Sequence, residues 1–162
     1  MENLKFKYLK QPNNRWTFKM PRLKVWVESW CKGKVLNLFA GKIRLNVDEF
    51  RVDSNNEFKP DHLGDALEFL KTTKMKFDTI IIDAPYSLRK AYEKYKGHYI
   101  GSTWTQVRRA VPRVCNKGAR VISFGYNSQG MAKVLGFKKL AICLVCHSGD
   151  INDTICTVEE LE

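Results

Sequence analysis

The sequence predicts an α/β domain built on a mostly parallel sheet, with helices on both faces and a C-terminal antiparallel β-hairpin. Three observations predict it. Segment 77–83, Phe-Asp-Thr-Ile-Ile-Ile-Asp, carries three consecutive isoleucines without alternation, so both of its faces are buried, as in a parallel sheet covered by helices. Short apolar runs alternate along the chain with segments of helical period. The last two strand-like segments, 140–146 and 154–158, are separated only by 147–153, too short for a helical crossover, so they run antiparallel.

Each element follows from local pattern. Pro21 opens a helix whose Leu23, Trp26, Val27 and Trp30 recur at i, i+3, i+4 and i+7, with Gly33 placed to end it. Segment 35–40, Val-Leu-Asn-Leu-Phe-Ala, reads as a buried strand running into a tight turn at Gly41. Segment 49–53 alternates polar and apolar residues and ends in the turn-forming Ser54-Asn55-Asn56. Asp65 begins a short helix through Leu70, where its carboxylate can cap backbone N–H groups and Glu68 occupies the third helical position. After the isoleucine strand, Ser87 starts a helix with Leu88, Ala91, Tyr92 and Tyr95 on one stripe, closed by Gly97. Another begins near Ser102 and is interrupted by Pro112; segment 119–124 is a further strand.

No repeat or linker breaks this pattern, so residues 1–162 read as one domain: a basic, aromatic arm and helix over 1–33 and the sheet core over 34–162. A chain of this length buries roughly two-thirds of its extended surface on folding. Hydrophobic residues at 44% and charged residues at 28% exclude disordered and collagen-like classes. No apolar run is long enough for a membrane span, and the opening residues are studded with lysine where a signal peptide needs an apolar stretch. Five dispersed cysteines then predict reduced thiols and a cytoplasmic location.

The net charge of +11 is uneven, because the first fifty residues hold eleven basic and four acidic groups. Between Lys5 and Lys24 the cations are interleaved with Phe6, Tyr8, Trp16 and Phe18, a mixture that pairs with phosphates and stacks on unpaired bases. The alternative is a solubilising arm whose aromatics pack on the domain. Cys143, Cys146 and His147 form a C-x-x-C-H string, but on a strand the odd spacing points the thiols to opposite faces. Small buried hydrophobes account for these cysteines better than haem or zinc, and no metal site is expected.

Ligands of open α/β sheets lie beyond the carboxyl ends of the parallel strands. The residues ending those strands are Asn37, Phe39, Ala40 and Gly41 on the first, Asp53 and Ser54 on the second, then Asp65 and Ala66, then Asp83-Ala84-Pro85-Tyr86, then Tyr126 and Asn127. The order N-L-F-A-G, an acid after strand two, G-D-A and D-A-P-Y resembles the class I S-adenosylmethionine-dependent amino-methyltransferases of D-P-P-Y type. These modify N6 of adenine or N4 of cytosine, and the chain looks closest to compact archaeal or viral DNA methyltransferase-like proteins. The likeness runs from about Val35 to Phe124 and implies a Rossmann-like fold and S-adenosylmethionine as cofactor.

The resemblance also implies roles. An exocyclic amino nitrogen is a poor nucleophile, and two acceptors aimed at its hydrogens, the Asp83 carboxylate and the Ala84 carbonyl, pull it toward tetrahedral geometry. Pro85 restricts the turn and Tyr86 stacks on the extruded base. Ala84 stands where the family has proline, which keeps the carbonyl. Asp53 resembles the acid that takes both ribose hydroxyls of the cofactor, or is a turn former beside Ser54; Asp65 resembles the residue at the cofactor adenine, or is a helix cap. Gly41 permits close approach of the cofactor's methionine part, although the interval to Asp53 is short for a crossover helix. Thr17 and Phe18 stand where such enzymes place an extra cofactor-contacting segment. Tyr126, Asn127 and His147 are candidate substrate contacts.

Nucleic acid is the expected partner, DNA before RNA, with no membrane; target recognition then falls to the arm, to loops after Tyr86 or Tyr126, or to a partner chain or second copy. An RNA base amino-methyltransferase and a catalytically silent nucleic-acid-binding subunit are the alternative readings.

Overall fold

The computed structural model describes residues 3–84, 104–131, 133–149 and 151–162. These form one eight-stranded sheet and three α-helices: β1 Lys5–Lys10, α1 Pro21–Trp30, β2 Val35–Leu38, β3 Glu49–Asp53, β4 His62–Leu63, α2 Ala66–Thr72, β5 Phe77–Ile82, α3 Trp104–Ala110, β6 Cys115–Gly125, β7 Phe137–Cys146 and β8 Thr154–Leu161. The strand order is β1-β7-β8-β6-β5-β2-β3-β4. Every neighbouring pair is parallel except the two made by β8, which runs against both β6 and β7. The mostly parallel sheet with a terminal antiparallel hairpin is therefore as the sequence predicts. Among the described residues no helix is long and apolar enough to cross a membrane.

The isoleucine run shows why the sheet is buried on both sides. Ile80 and Ile82 join Leu36, Val121, Phe69, Leu70 and Val107 in the layer under α2 and α3. Ile81 joins Leu23 and Val27 of α1, with Val35, Ile122 and Phe124, in the layer on the other face. Each such side chain, fully removed from water, contributes about 1.5–3 kcal/mol. Helix α1 starts with Pro21 in its first turn, as predicted, and ends at Trp30, three residues before Gly33. Helix α2 is capped by Asp65, whose carboxylate accepts from the Glu68 N–H at 2.9 Å. Helix α3 stops at Ala110 and Pro112 sits in the 3₁₀ turn that follows, since proline has no N–H to continue the ladder. The helix expected from Ser87 to Gly97, and the start of the next at Ser102, lie outside the described residues.

Two features depart from the local pattern. Residues 5–10 are not a free arm: they pair with β7 from Lys5↔Ala141 to Lys10↔Cys146 as the edge strand of the sheet. Only Leu9 of β1 is buried, and alternating lysines guard the open edge. Between β2 and β3 there is no helix. A loop carries Leu45 into the α1-side core with Ile43 and Val47 packed against it, so three loop side chains cover the sheet where a crossover helix would lie.

Candidate active site

The carboxyl ends of β2, β3, β5 and β6 meet at one edge of the sheet, because those strands are parallel and in register. Three clefts open along that edge. The first, about 230 Å³, is lined by Phe39, Val52, Asp53, Ser54, Gly64, Asp65 and Ala66. The second is narrow, about 10 Å³, between Arg15, Trp16, Thr17 and Phe18 on one side and Phe39, Ala40, Gly41 and Asp83 on the other. The third, about 180 Å³, is bounded by Ala84, Trp104, Ser123, Gly125, Tyr126, Asn127 and Thr157.

Asp53 ends β3 with both carboxylate oxygens on backbone: Oδ2 accepts from the Gly41 N–H at 2.8 Å and Oδ1 from the Asn55 N–H at 2.9 Å. It thereby holds together the two turns that frame the first cleft. Gly41 has φ +62°, a conformation that strains any side chain bearing Cβ. Phe39, two residues earlier, adopts φ +57° without being glycine, which costs on the order of 1 kcal/mol or more and persists only where the surroundings enforce it. Phe39 lines the first and second clefts together, so the strained residue sits where they join.

What enforces the turn is a residue that sequence reasoning missed. Arg51 lies inside β3 with its side chain 1% exposed. Its guanidinium pairs with Glu49 at 2.9 Å and donates to the carbonyls of Ile43 at 3.0 Å and of Gly41 and Ala40. Glu49 in turn accepts from Asn37 Nδ2 at 3.0 Å and from the Leu45 N–H at 3.2 Å. A planar, permanently charged fork can gather several carbonyls at once, and here it closes residues 40–45 onto the strand ends in place of a glycine-rich turn. The signal was available: an arginine amid apolar residues of a strand in a parallel sheet has to be buried and therefore has to be paired.

The predicted residues divide between the clefts and the scaffold. Thr17, Phe18, Phe39, Ala40, Gly41, Asp53, Ser54, Asp65, Ala66, Asp83, Ala84, Tyr126 and Asn127 all line a cleft. Asn37 does not: it is fully buried in β2 and serves the Arg51–Glu49 cluster. His147 does not line these clefts either. It is 6% exposed, its Nδ1 donates to the Gln11 carbonyl at 2.9 Å and its Nε2 meets the Thr154 hydroxyl at 2.8 Å. It ties the exit of β1 to the β7–β8 hairpin, where a substrate contact was expected. Pro85 and Tyr86 lie outside the described residues.

The loop after β6 borders the third cleft and is held from below. Glu159 of β8, 2% exposed, accepts from the Met131 N–H at 2.5 Å, while Arg108 donates to the Gly130 carbonyl at 3.1 Å and Lys139 to the carbonyls of Ser128 and Gln129. Burial pushes the Glu159 carboxyl above its ordinary range, against the opposing pull of Met131 and Lys139. The folded state then binds this proton more tightly than the unfolded one. The group's contribution is fully present below its unfolded pKa and is lost as pH rises through the raised folded value. In urea denaturation from about pH 4 to about pH 7, the stability of the natural protein relative to Glu159→Gln is expected to fall with rising pH. A difference that stays constant or grows would contradict this account.

No protein-family model and no curated protein matches the sequence. Solved structures do match. The Escherichia coli protein yhhF, described as a candidate methyltransferase, aligns with a TM-score of 0.63 and 11% identity over 95% of this chain and 91% of its own. TrmN from Thermus thermophilus gives 0.61 at 13% identity, over 93% of this chain and 50% of TrmN. The N-methyltransferase NodS from Bradyrhizobium japonicum WM9, in complex with S-adenosyl-L-homocysteine, gives 0.51 at 13% identity over 80% of this chain and 78% of NodS. The chain has a Rossmann-like methyltransferase fold. It spans about half the length of TrmN, and at these identities the likeness is one of fold.

Proposed function

We propose that this protein is an S-adenosylmethionine-dependent methyltransferase acting on a base amino group in nucleic acid, with N6 of adenine in DNA as its first target. The observation that carries the reading is the position of two successive residues: Asp83 lines the second cleft and Ala84 the third. In this reading the end of β5 borders both the cofactor and the acceptor, so that Asp83 and Ala84 stand together where the two meet.

The residues of the first cleft fit the adenosine of the cofactor, while the second would have to widen to take its methionine part. The first cleft has an apolar wall in Phe39, Val52 and Ala66 and a carboxylate in Asp53, suited to an adenosine. Each Asp53 oxygen accepts one backbone N–H, and a carboxylate oxygen has room for a further donor, here a ribose hydroxyl. Asp65 would meet the adenine amino group, and Thr17, Phe18, Ala40 and Gly41 would enclose the methionine part. S-adenosylmethionine, when bound, supplies a methyl group on a positively charged sulfur. The protein's own task is then to align the amine and stabilise the charge it acquires. The Asp83 carboxylate and Ala84 carbonyl would accept from the two amino hydrogens, leaving the nitrogen lone pair free to take the methyl group. Asp83 offsets the positive charge on the nitrogen and receives the proton it releases. Alignment of this kind contributes on the order of 7–11 kcal/mol to lowering the barrier. Pro85 and Tyr86, next in the chain, would shape the turn and stack on the base.

A second reading, a catalytically silent nucleic-acid-binding subunit, draws on the narrowness of the second cleft, which at about 10 Å³ has room for about one water. Nucleoside mass spectrometry after incubation with labelled S-adenosylmethionine and DNA or RNA separates the readings. N6-methyladenine in DNA is expected, reduced on the order of 10²–10³-fold by Asp83→Ala. Methylation confined to RNA moves the assignment to an RNA enzyme. Equal background from both proteins supports the silent subunit.

A further inference from the structure

We propose that the face of the sheet shared by β1, β7 and β8 is a docking platform for single-stranded nucleic acid leading into the third cleft; this rests on that cleft being the acceptor site.

Strand register lays out the platform. Two rows cross the sheet from β6 to its edge: Ser123↔Thr157↔Ile142↔Phe6 and Gly125↔Ile155↔Leu144↔Tyr8. Ser123, Gly125 and Thr157, at the inner end, border the third cleft. Side chains along a strand alternate between faces, so the burial of Leu9, Ala141, Cys143, Val145, Cys156 and Val158 in the α1-side core sends the residues between them to the opposite face. Phe6, Tyr8, Ile142, Leu144 and Ile155 belong to neither apolar core layer of the described residues. Phe6 is 64% and Tyr8 55% exposed. With strands about 4.8 Å apart, the aromatic end of the platform lies roughly 14 Å from β6.

The chemistry favours a nucleic-acid strand. Two rings at positions i and i+2 of one strand present parallel stacking surfaces, which accept any base. Lys10 shares their face, while Lys5 and Lys7 alternate to the α1 side, where Lys5 lies over the Trp30 ring; all three are exposed, in the most basic part of a chain of net charge +11. A second copy pairing along β1 would set lysines of one chain beside those of the other, an unfavourable arrangement. The duplex is excluded from a flat stacking surface because its bases are already stacked on one another.

Fluorescence anisotropy with short labelled single-stranded DNA, single-stranded RNA and duplex DNA, repeated at raised salt, tests this. The natural protein is expected to bind single strands more tightly than duplex. Phe6→Ala with Tyr8→Ala should weaken single-strand binding about 10-fold or more, because each lost stack removes a contribution of that order. Phe6→Leu with Tyr8→Leu, which keeps apolar strand-forming residues, should weaken it equally, whereas Tyr8→Phe should stay within about twofold. Lys10→Ala should lower the salt dependence, and the aromatic variants should retain it. Calorimetry with S-adenosylhomocysteine on the same variants should be unchanged from the natural protein. Aromatic variants that bind single strands normally overturn the platform, as does sedimentation showing that Phe6→Ala converts a dimer to a monomer. If the natural protein neither binds S-adenosylhomocysteine nor methylates, yet the aromatic variants lose single strands, the platform stands and the methyltransferase reading fails.

Discussion

Replacing Arg51 by methionine is expected to destabilise the protein by about 3–5 kcal/mol, read as a lower urea midpoint and a fall in Tm on the order of 10 °C. The guanidinium is fully buried, and its removal strands the Glu49 carboxylate, 6% exposed, without its cation while releasing the carbonyls of Ala40, Gly41 and Ile43. An uncompensated buried charge, more than the lost contacts, accounts for the size of the effect. Adding Glu49→Gln to the methionine variant should therefore recover part of the stability, because the charge is gone and Asn37 keeps an acceptor. Affinity for S-adenosylhomocysteine should fall with Arg51→Met, since the released residues 40–43 wall the second cleft. A variant as stable as the natural protein would show that the loop is held by its apolar residues alone.

Asp53→Ala is expected to abolish the response to S-adenosylhomocysteine. At a ligand concentration of about 100 times its Kd the natural protein should gain about 2.7 kcal/mol of stability, visible as a clear rise in Tm. The alanine variant should show none, because the carboxylate that would take the ribose hydroxyls also fixes Gly41 and Asn55 on either side of the cleft. Without ligand it should be less stable by about 2 kcal/mol, as expected for losing two hydrogen bonds to a charged acceptor at a half-buried site. Asp53→Asn keeps one acceptor oxygen and should fall between the two. If Asp53→Ala binds S-adenosylhomocysteine as the natural protein does, the first cleft is not the adenosine site.

The parts of this architecture legible in the sequence are those set by short-range pattern. The isoleucine run announced a strand buried on both faces, and Ile80 to Ile82 divide between the two core layers accordingly. The seven residues 147–153 were too few for a crossover, which made β8 the one reversed strand. Asp65 was read as a cap and caps α2. The polar residues ending the parallel strands could be collected into a candidate site because parallel strands bring their carboxyl ends to one edge whatever their order. Strand β1 was not recognised although Lys-Phe-Lys-Tyr-Leu-Lys has the period of a strand. Its alternation separates lysine from aromatic rather than solvent from core, and only pairing with β7 turns that pattern into an edge. Arg51 and His147 escaped for a related reason: their partners lie on other segments, at Ile43, Gly41 and Ala40 for one and at Gln11 and Thr154 for the other.

Sequence alone determined the class of the fold, the place of most of its strands and helices and the identity of the strand-end acids, because periodicity, capping and turn chemistry act between residues a few positions apart. Tertiary structure alone decided that an arginine–glutamate pair stands in for a glycine-rich turn and a crossover helix, that the expected histidine contact is a strap, and that Asp83 and Ala84 face two different clefts. Those outcomes depend on which strands become neighbours, a choice made by the packing of distant apolar faces.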